Sequence, residues 1–236
     1  MRYINLLLLL LSISIGAHAQ QAITKSIDLV IGVAKYQGTF SAAYVHNWNL
    51  GKKKKIIIGF GGRMTGYVGA NQYYITAPAK LTSGKSGPGV FFVENIEENI
   101  DTFLIAKPRV VSLNAMINFG YHVTEKLALG FNIDAIGFSL GNNPRGNYIN
   151  GSQGQNVESK PTSFNLLLVS DNDLGSLNSE FYGKYKLNDK ISLKAAFQFL
   201  FTEYTTETPV QQFPEPNDRF RNKSSMFSAG ISLNLN

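Results

Sequence analysis

The last eleven residues, Met226 to Asn236, alternate without a break: Phe227, Ala229, Ile231, Leu233 and Leu235 on one side, Ser228, Gly230, Ser232, Asn234 and Asn236 on the other. Successive side chains of a strand point to opposite faces, so this stretch reads as a strand with one apolar and one small, polar face. The pattern runs to the final residue, and such a strand must be paired or leave an open edge. A sheet closed on itself pairs it with the first strand and abolishes the edge. The chain is therefore expected to be all-β and closed.

At 236 residues it is expected to be one domain with long loops. Its front end reads as a processing segment. Arg2 supplies a positive n-region, Leu6 to Ile15 an apolar h-region, and Ala17-His18-Ala19 a small-residue cleavage site. Residues 1–19 are thus a signal peptide and residues 20–236 the mature domain. The apolar run is too short for a spanning helix, and no later stretch reaches the roughly 18 apolar residues that one needs. There is no cysteine, which excludes a lipid-modified N-terminus and any disulfide. Net charge is +6, or +5 once Arg2 is removed. The largest basic cluster, Lys52 to Lys55, follows Gly51 in a turn and lies on no helix. Nucleic acid is not an expected partner.

Eight strands are expected: Ser26–Lys35, Phe40–Leu50, Lys55–Tyr67, Arg109–Val123, Leu127–Phe138, Leu177–Leu187, Ile191–Thr202 and the C-terminal stretch from Met226. The sixth has an outlying start near Ser163, interrupted at Asp171-Asn172-Asp173. Three connections share one form, an aromatic residue, an aliphatic one two places on, a polar turn and then Lys: Trp48 to Lys53, Tyr121 to Lys126 and Tyr185 to Lys190. Most other connections are long. Within the first long one, Val90–Val93 and Thr102–Ile105 are expected as strand extensions forming a hairpin. Short turns at one end and long loops at the other, with Trp48, Tyr121 and Tyr185 as an interface girdle, are the layout of a transmembrane barrel with its short turns in the periplasm.

The polar faces decide between a membrane barrel and a soluble carrier. They are small or hydrophilic and carry Asp28, Arg63, Asp134, Glu180, Lys184 and Lys194. Eight strands leave room only for side chains inside, so these charges are expected to pair across a closed lumen, with the apolar rows facing lipid. With its leader, alternating strands, aromatic-flanked turns and strand-final C-terminus, the chain resembles the small outer-membrane barrels of the OmpA/OmpX-like superfamily. The resemblance implies an eight-stranded antiparallel up-and-down transmembrane β-barrel in a Gram-negative outer membrane. Asn236 departs from the aromatic residue on which many such barrels end.

Barrel enzymes generally need a His base beside a Ser, Asp or Glu. The mature chain keeps only His46 and His122, both near the short turns, so no enzymatic activity is expected. No cofactor is expected, and no metal. Asp171-Asn172-Asp173 and the Glu94, Glu97, Glu98, Asp101 patch offer oxygens but match no calcium loop. Tyr73, Tyr74, Phe91, Phe92 and Phe213 are candidate exposed loop contacts for a protein partner. The expected role is structural, adhesive or that of an accessory subunit in a larger envelope complex, with outer-membrane lipid around the wall. The alternatives are a narrow pore or uptake barrel widened to ten strands by Val90–Ile105 and Ser163–Ser170, a soluble secreted carrier, and a lipid-modifying enzyme.

Overall fold

Alternation on this scale makes long strands, and the computed structural model bears that out. It describes residues 22–85, 93–149, 154–168 and 170–235; the expected leader lies outside them. The elements are β1 (Ala22–Ala34), β2 (Gln37–Leu50), β3 (Ile56–Gly69), β4 (Gln72–Thr76), the one-turn helix α1 (Ala79–Thr82), β5 (Thr102–Ile105), β6 (Arg109–His122), β7 (Leu127–Gly141), β8 (Arg145–Tyr148), β9 (Val157–Pro161), β10 (Phe164–Leu166), β11 (Leu177–Lys186), β12 (Ile191–Thr206) and β13 (Arg219–Asn234). The thirteen strands form one antiparallel, up-and-down sheet, where eight strands were expected.

The eight long strands pair in the circuit β1–β2–β3–β6–β7–β11–β12–β13 and back to β1. The last link runs from Ser26 opposite Asn234 to Val33 opposite Phe227. Across this ring the apolar rows stand exposed and the polar rows buried. Ile31, Leu113, Leu140 and Phe227 are 60%, 63%, 76% and 72% exposed, while Asp28, Arg63, Asn114, Asp134 and Lys194 are buried. The polarity is inside out relative to a soluble protein.

One irregularity changes which residues face inward. Between β6 and β7, Ala115 sits opposite Ile136 but Met116 opposite Asp134, leaving Ala135 as a bulge. A bulged residue shifts the alternation by one. Beyond it Ile136, Phe138 and Leu140 are exposed and Gly137 and Ser139 are buried. Without the bulge those three apolar side chains would point inward.

Where β13 meets β1 the strands leave no room for a side chain at Gly230. A Cβ there would lie 1.9 Å from the Leu29 carbonyl oxygen and 2.8 Å from the Val30 Cα, both backbone atoms. Gly230→Val is therefore expected to prevent the ring from closing. The check is whether the refolded variant still migrates faster unboiled than boiled on a denaturing gel; wild-type migration would count against the closure described here.

The short strands form a second circuit above the first. β12 pairs with β9, β9 with β8, β8 with β5, β5 with β4, and β4 with β13. The two circuits share β12 and β13. Where β1 leaves β13 at Phe227, β4 takes over the same edge at Arg221 and Phe220. Thr102–Ile105 is a strand, as expected, but its hairpin partner is Gln72–Thr76, with Tyr74 opposite Phe103. Of the other expected extension, residues 90–92 lie outside the described residues and Val93 sits in a bend. Phe164–Leu166 pairs with β7 in line with β11, so it lengthens a position already present in the ring. Strands eight and seven also run further than their apolar alternation suggests, β13 from Arg219 and β12 to Thr206.

Candidate functional site

The inward rows of five long strands converge on a single ionic network. Asp28 comes from β1, Arg63 from β3, Asp134 from β7, Glu180 and Lys184 from β11, and Lys194 from β12. The structure brings all six together. Arg63 donates from Nε and Nη2 to Asp134 Oδ1 at 2.9 and 2.6 Å, and its Nη1 lies 3.5 Å from Glu180 Oε2. Lys194 links Glu180 Oε2, at 2.6 Å, to Asp28 Oδ2, at 3.2 Å. Lys184 closes on Asp28 Oδ1 at 2.8 Å. Asn132 donates to Glu180, Asn114 to Asp134 and Ser232 to Asp28. Arg63 also donates to the Asn178 carbonyl.

Three cations thus face three carboxylates, so the cluster is neutral as a unit. Burying a charge is costly unless it is paired and hydrogen-bonded, and here each one is. Such a network fills the interior with fixed, paired charges, although Glu180 Oε1 is buried without a hydrogen-bond partner. Below it, toward the short turns, a cup of about 310 Å³ is lined by Lys25, His122, Tyr182, Lys184, Lys186 and Asn234. It ends on Lys184, the partner of Asp28.

Above the network the interior turns apolar. Tyr74, Phe103, Ile105, Tyr148, Tyr204 and Phe220 are buried together at the junction of the two circuits, with Tyr67, Leu200 and Met226 beneath them. The Tyr74 hydroxyl lies 3.0 Å from Thr202 Oγ1, and the Tyr74 and Tyr204 rings meet edge to face at 5.5 Å. This corrects the expectation that Tyr74 is an exposed loop contact: it is 0% exposed, because the loops carry a core of their own. Tyr73 and Phe213 are exposed, at 61% and 68%. Phe91 and Phe92 lie outside the described residues.

A second charged cluster was not read from the sequence. Glu203 sits opposite Arg221 on the β12–β13 ladder, and Arg221 Nη2 donates to Glu203 Oε2 at 2.7 Å. Arg219 Nε donates to Glu203 Oε1 at 2.9 Å. The segment between β10 and β11 folds over this pair. Arg221 donates to the Asp173 carbonyl, and Lys223 Nζ lies 2.5 Å from Asp171 Oδ1. The signal available was a cross-strand Glu–Arg pair in alternation with Tyr204 and Phe220, at the point where apolar outward residues give way to charge. The Asp171-Asn172-Asp173 run is thus engaged with basic side chains. Burial pushes the Asp173 carboxyl above its usual range. Burial and the Asp101 carboxylate likewise hold the Tyr148 phenol well above its usual range.

Trp48, Tyr121 and Tyr185 each lie within two residues of the end of β2, β6 and β11, beside the three short turns. Trp48 packs on His46 and Phe60, with ring centroids 5.0 and 5.5 Å away. His122 Nε2 lies 3.1 Å from Asn49 Oδ1 and is half-buried on the opposite face from His46. Among the described residues no group of three or more His, Cys, Asp or Glu is placed to hold a metal ion.

No family model matches the chain, and no curated protein matches it. Among solved structures it is similar to Neisserial surface protein A (NspA), at 10% identity over 89% of this chain and 94% of that one, with a TM-score of 0.35. It is also similar to the CymD monoaromatic hydrocarbon channel, at 9% identity over 91% and 88% of the two chains, with a TM-score of 0.21. Likenesses this remote carry no argument about role.

Proposed function

We propose that the chain is an integral outer-membrane protein whose eight long strands form a transmembrane β-barrel. Its role is non-enzymatic: the barrel anchors a folded cap of loop strands and serves a structural or adhesive purpose, or that of an accessory subunit in a larger envelope complex. The observation that carries this reading is the inside-out ring, apolar outside and filled with paired charges within. In water so much exposed apolar surface would drive association, whereas in lipid it is the favourable side. Every wall strand has at least 10 residues, β11 being the shortest, and a tilted strand needs about 9–11 to cross the hydrocarbon. Ring closure satisfies the backbone groups that lipid cannot. The ionic network and the aromatic core above it oppose a conducting path. The exposed Tyr73 and Phe213 are then candidate contacts on the cap.

The test joins fractionation and a heat-modifiability gel with planar-bilayer recording. Membrane-bound protein that migrates faster unboiled, and gives no single-channel steps after reconstitution, is the expected result. Discrete steps would replace this role with that of a pore. A soluble protein indifferent to boiling would remove the membrane reading altogether. Protein-dependent mass shifts in lipid A would overturn the non-enzymatic assignment.

A further inference from the structure

The outer wall carries a groove of about 510 Å³ at the long-loop end of β1, β2, β3 and β6. Two glycines make it. In the upper outward row Val33 lies opposite Gly38, Gly38 opposite Val68, and Val68 opposite Arg109. In the next row down Ile31 lies opposite Phe40, Phe40 opposite Gly66, and Gly66 opposite Val111. The missing side chains at Gly38 and Gly66 leave a depression framed by valines, Ile31 and Phe40. Its lining is apolar except at the rim.

The rim is basic. Arg109 lines the groove itself. Lys35 is the first residue of the β1–β2 turn, and Lys107 stands two residues before Arg109. Backbone bonds hold these segments at one level: the Ala70 amide donates to the Tyr36 carbonyl and the Gly69 amide to the Pro108 carbonyl. All three side chains belong to exposed residues, and among the described residues none is in an ion pair. An apolar slot ending in three cations without a carboxylate partner among the described residues, Lys35 resting 5.2 Å from the centre of the Tyr36 ring, fits a molecule with an acyl tail and an anionic head.

Resting on the outer-membrane reading above, we propose that this groove binds the phosphorylated glycolipid of the outer leaflet. One acyl chain lies along Gly66 and Gly38, and the phosphates lie against Lys35, Lys107 and Arg109. The groove opens at the long-loop rim, which in such a barrel faces outward, so the lipid is that of the outer leaflet and not an inner-leaflet phospholipid. Three cations over two phosphates give the charge match, and each basic residue near an anionic membrane surface strengthens attraction.

The experiment uses the full mature chain in phosphatidylcholine nanodiscs, titrated with bis-phosphorylated lipid A, with lipid A stripped of its phosphates, or with phosphatidylglycerol. Heat-modifiable migration of each protein is checked first. Two variants separate head from tail. Lys35→Gln, Lys107→Asn and Arg109→Gln together remove the charge; Asn suits position 107, whose φ is 46°. Gly66→Leu fills the slot, and a Cβ there meets nothing closer than the Phe40 carbonyl oxygen at 3.8 Å, so the strand accepts it. Wild-type protein is expected to prefer bis-phosphorylated lipid A over both other lipids. The triple variant should bind it at least about tenfold more weakly, and Gly66→Leu should weaken lipid A with or without phosphates. Equal binding of phosphatidylglycerol, or of lipid A by wild type and triple variant, would overturn the site while leaving the barrel intact. A protein that neither enters nanodiscs nor shows heat-modifiable migration would sink the outer-membrane reading instead.

Discussion

Arg63→Met is expected to destabilise the ring by about 3–5 kcal/mol, because it leaves Asp134 ionised and buried without its cation. Arg63 and Asp134 are 1% and 0% exposed, so water cannot take over the lost bonds. Glu180 keeps Lys194 at 2.6 Å, which confines the damage to the Asp134 end of the network. The double variant Arg63→Met, Asp134→Leu removes the orphan and is expected to recover much of the loss. Urea unfolding in lipid vesicles of wild type, both single variants (Asp134→Leu included) and the double variant, followed by the fraction that keeps folded migration on a gel, supplies all four corners of the cycle. If the single variant loses less than about 1 kcal/mol, the network is not a cooperative unit.

Phe103→Ala should have an effect of similar size in a different place. The ring of Phe103 is fully buried in the cap core and packs at a tilt against Phe220, with ring centroids 5.3 Å apart. Truncating such a side chain costs about 3–5 kcal/mol. The backbone of β5, which carries it, pairs with β4 and β8, both cap strands, so the loss is expected to fall chiefly on the cap. The expected result is faster surface proteolysis between β4 and β9 with heat-modifiable migration unchanged. Simultaneous loss of both would mean that cap and wall unfold as one.

What the sequence disclosed follows from where periodicity is strong. In the long strands the apolar rows and the six inward charges could be assigned because a period of two, sustained over ten or more residues, leaves only one way to face the chain. The cap was opaque for the opposite reason. Its strands have four or five residues and find partners through distant pairings such as Tyr204 with Pro161, which no local pattern announces. Tyr74 therefore looked like a surface aromatic in a loop when it is the middle of a core. The Ala135 bulge was hidden too, since one extra residue in a strand looks like any other alanine until its partner strand is seen. Glu203 and Arg221 were missed because charges ended the apolar alternation, and only the ladder shows that they neutralise each other.

The two circuits share β12 and β13, and that sharing bears on the order in which the molecule can assemble. Of the thirteen strands these two are synthesised last, yet β1 and β4 both need β13, while β9 and β11 both need β12. Those four strands therefore wait with an unfilled edge until the final two strands arrive. Contacts between residues far apart in the chain are slow to form and leave edges open to wrong partners meanwhile. The last two strands act as the latch that completes both the wall and the cap.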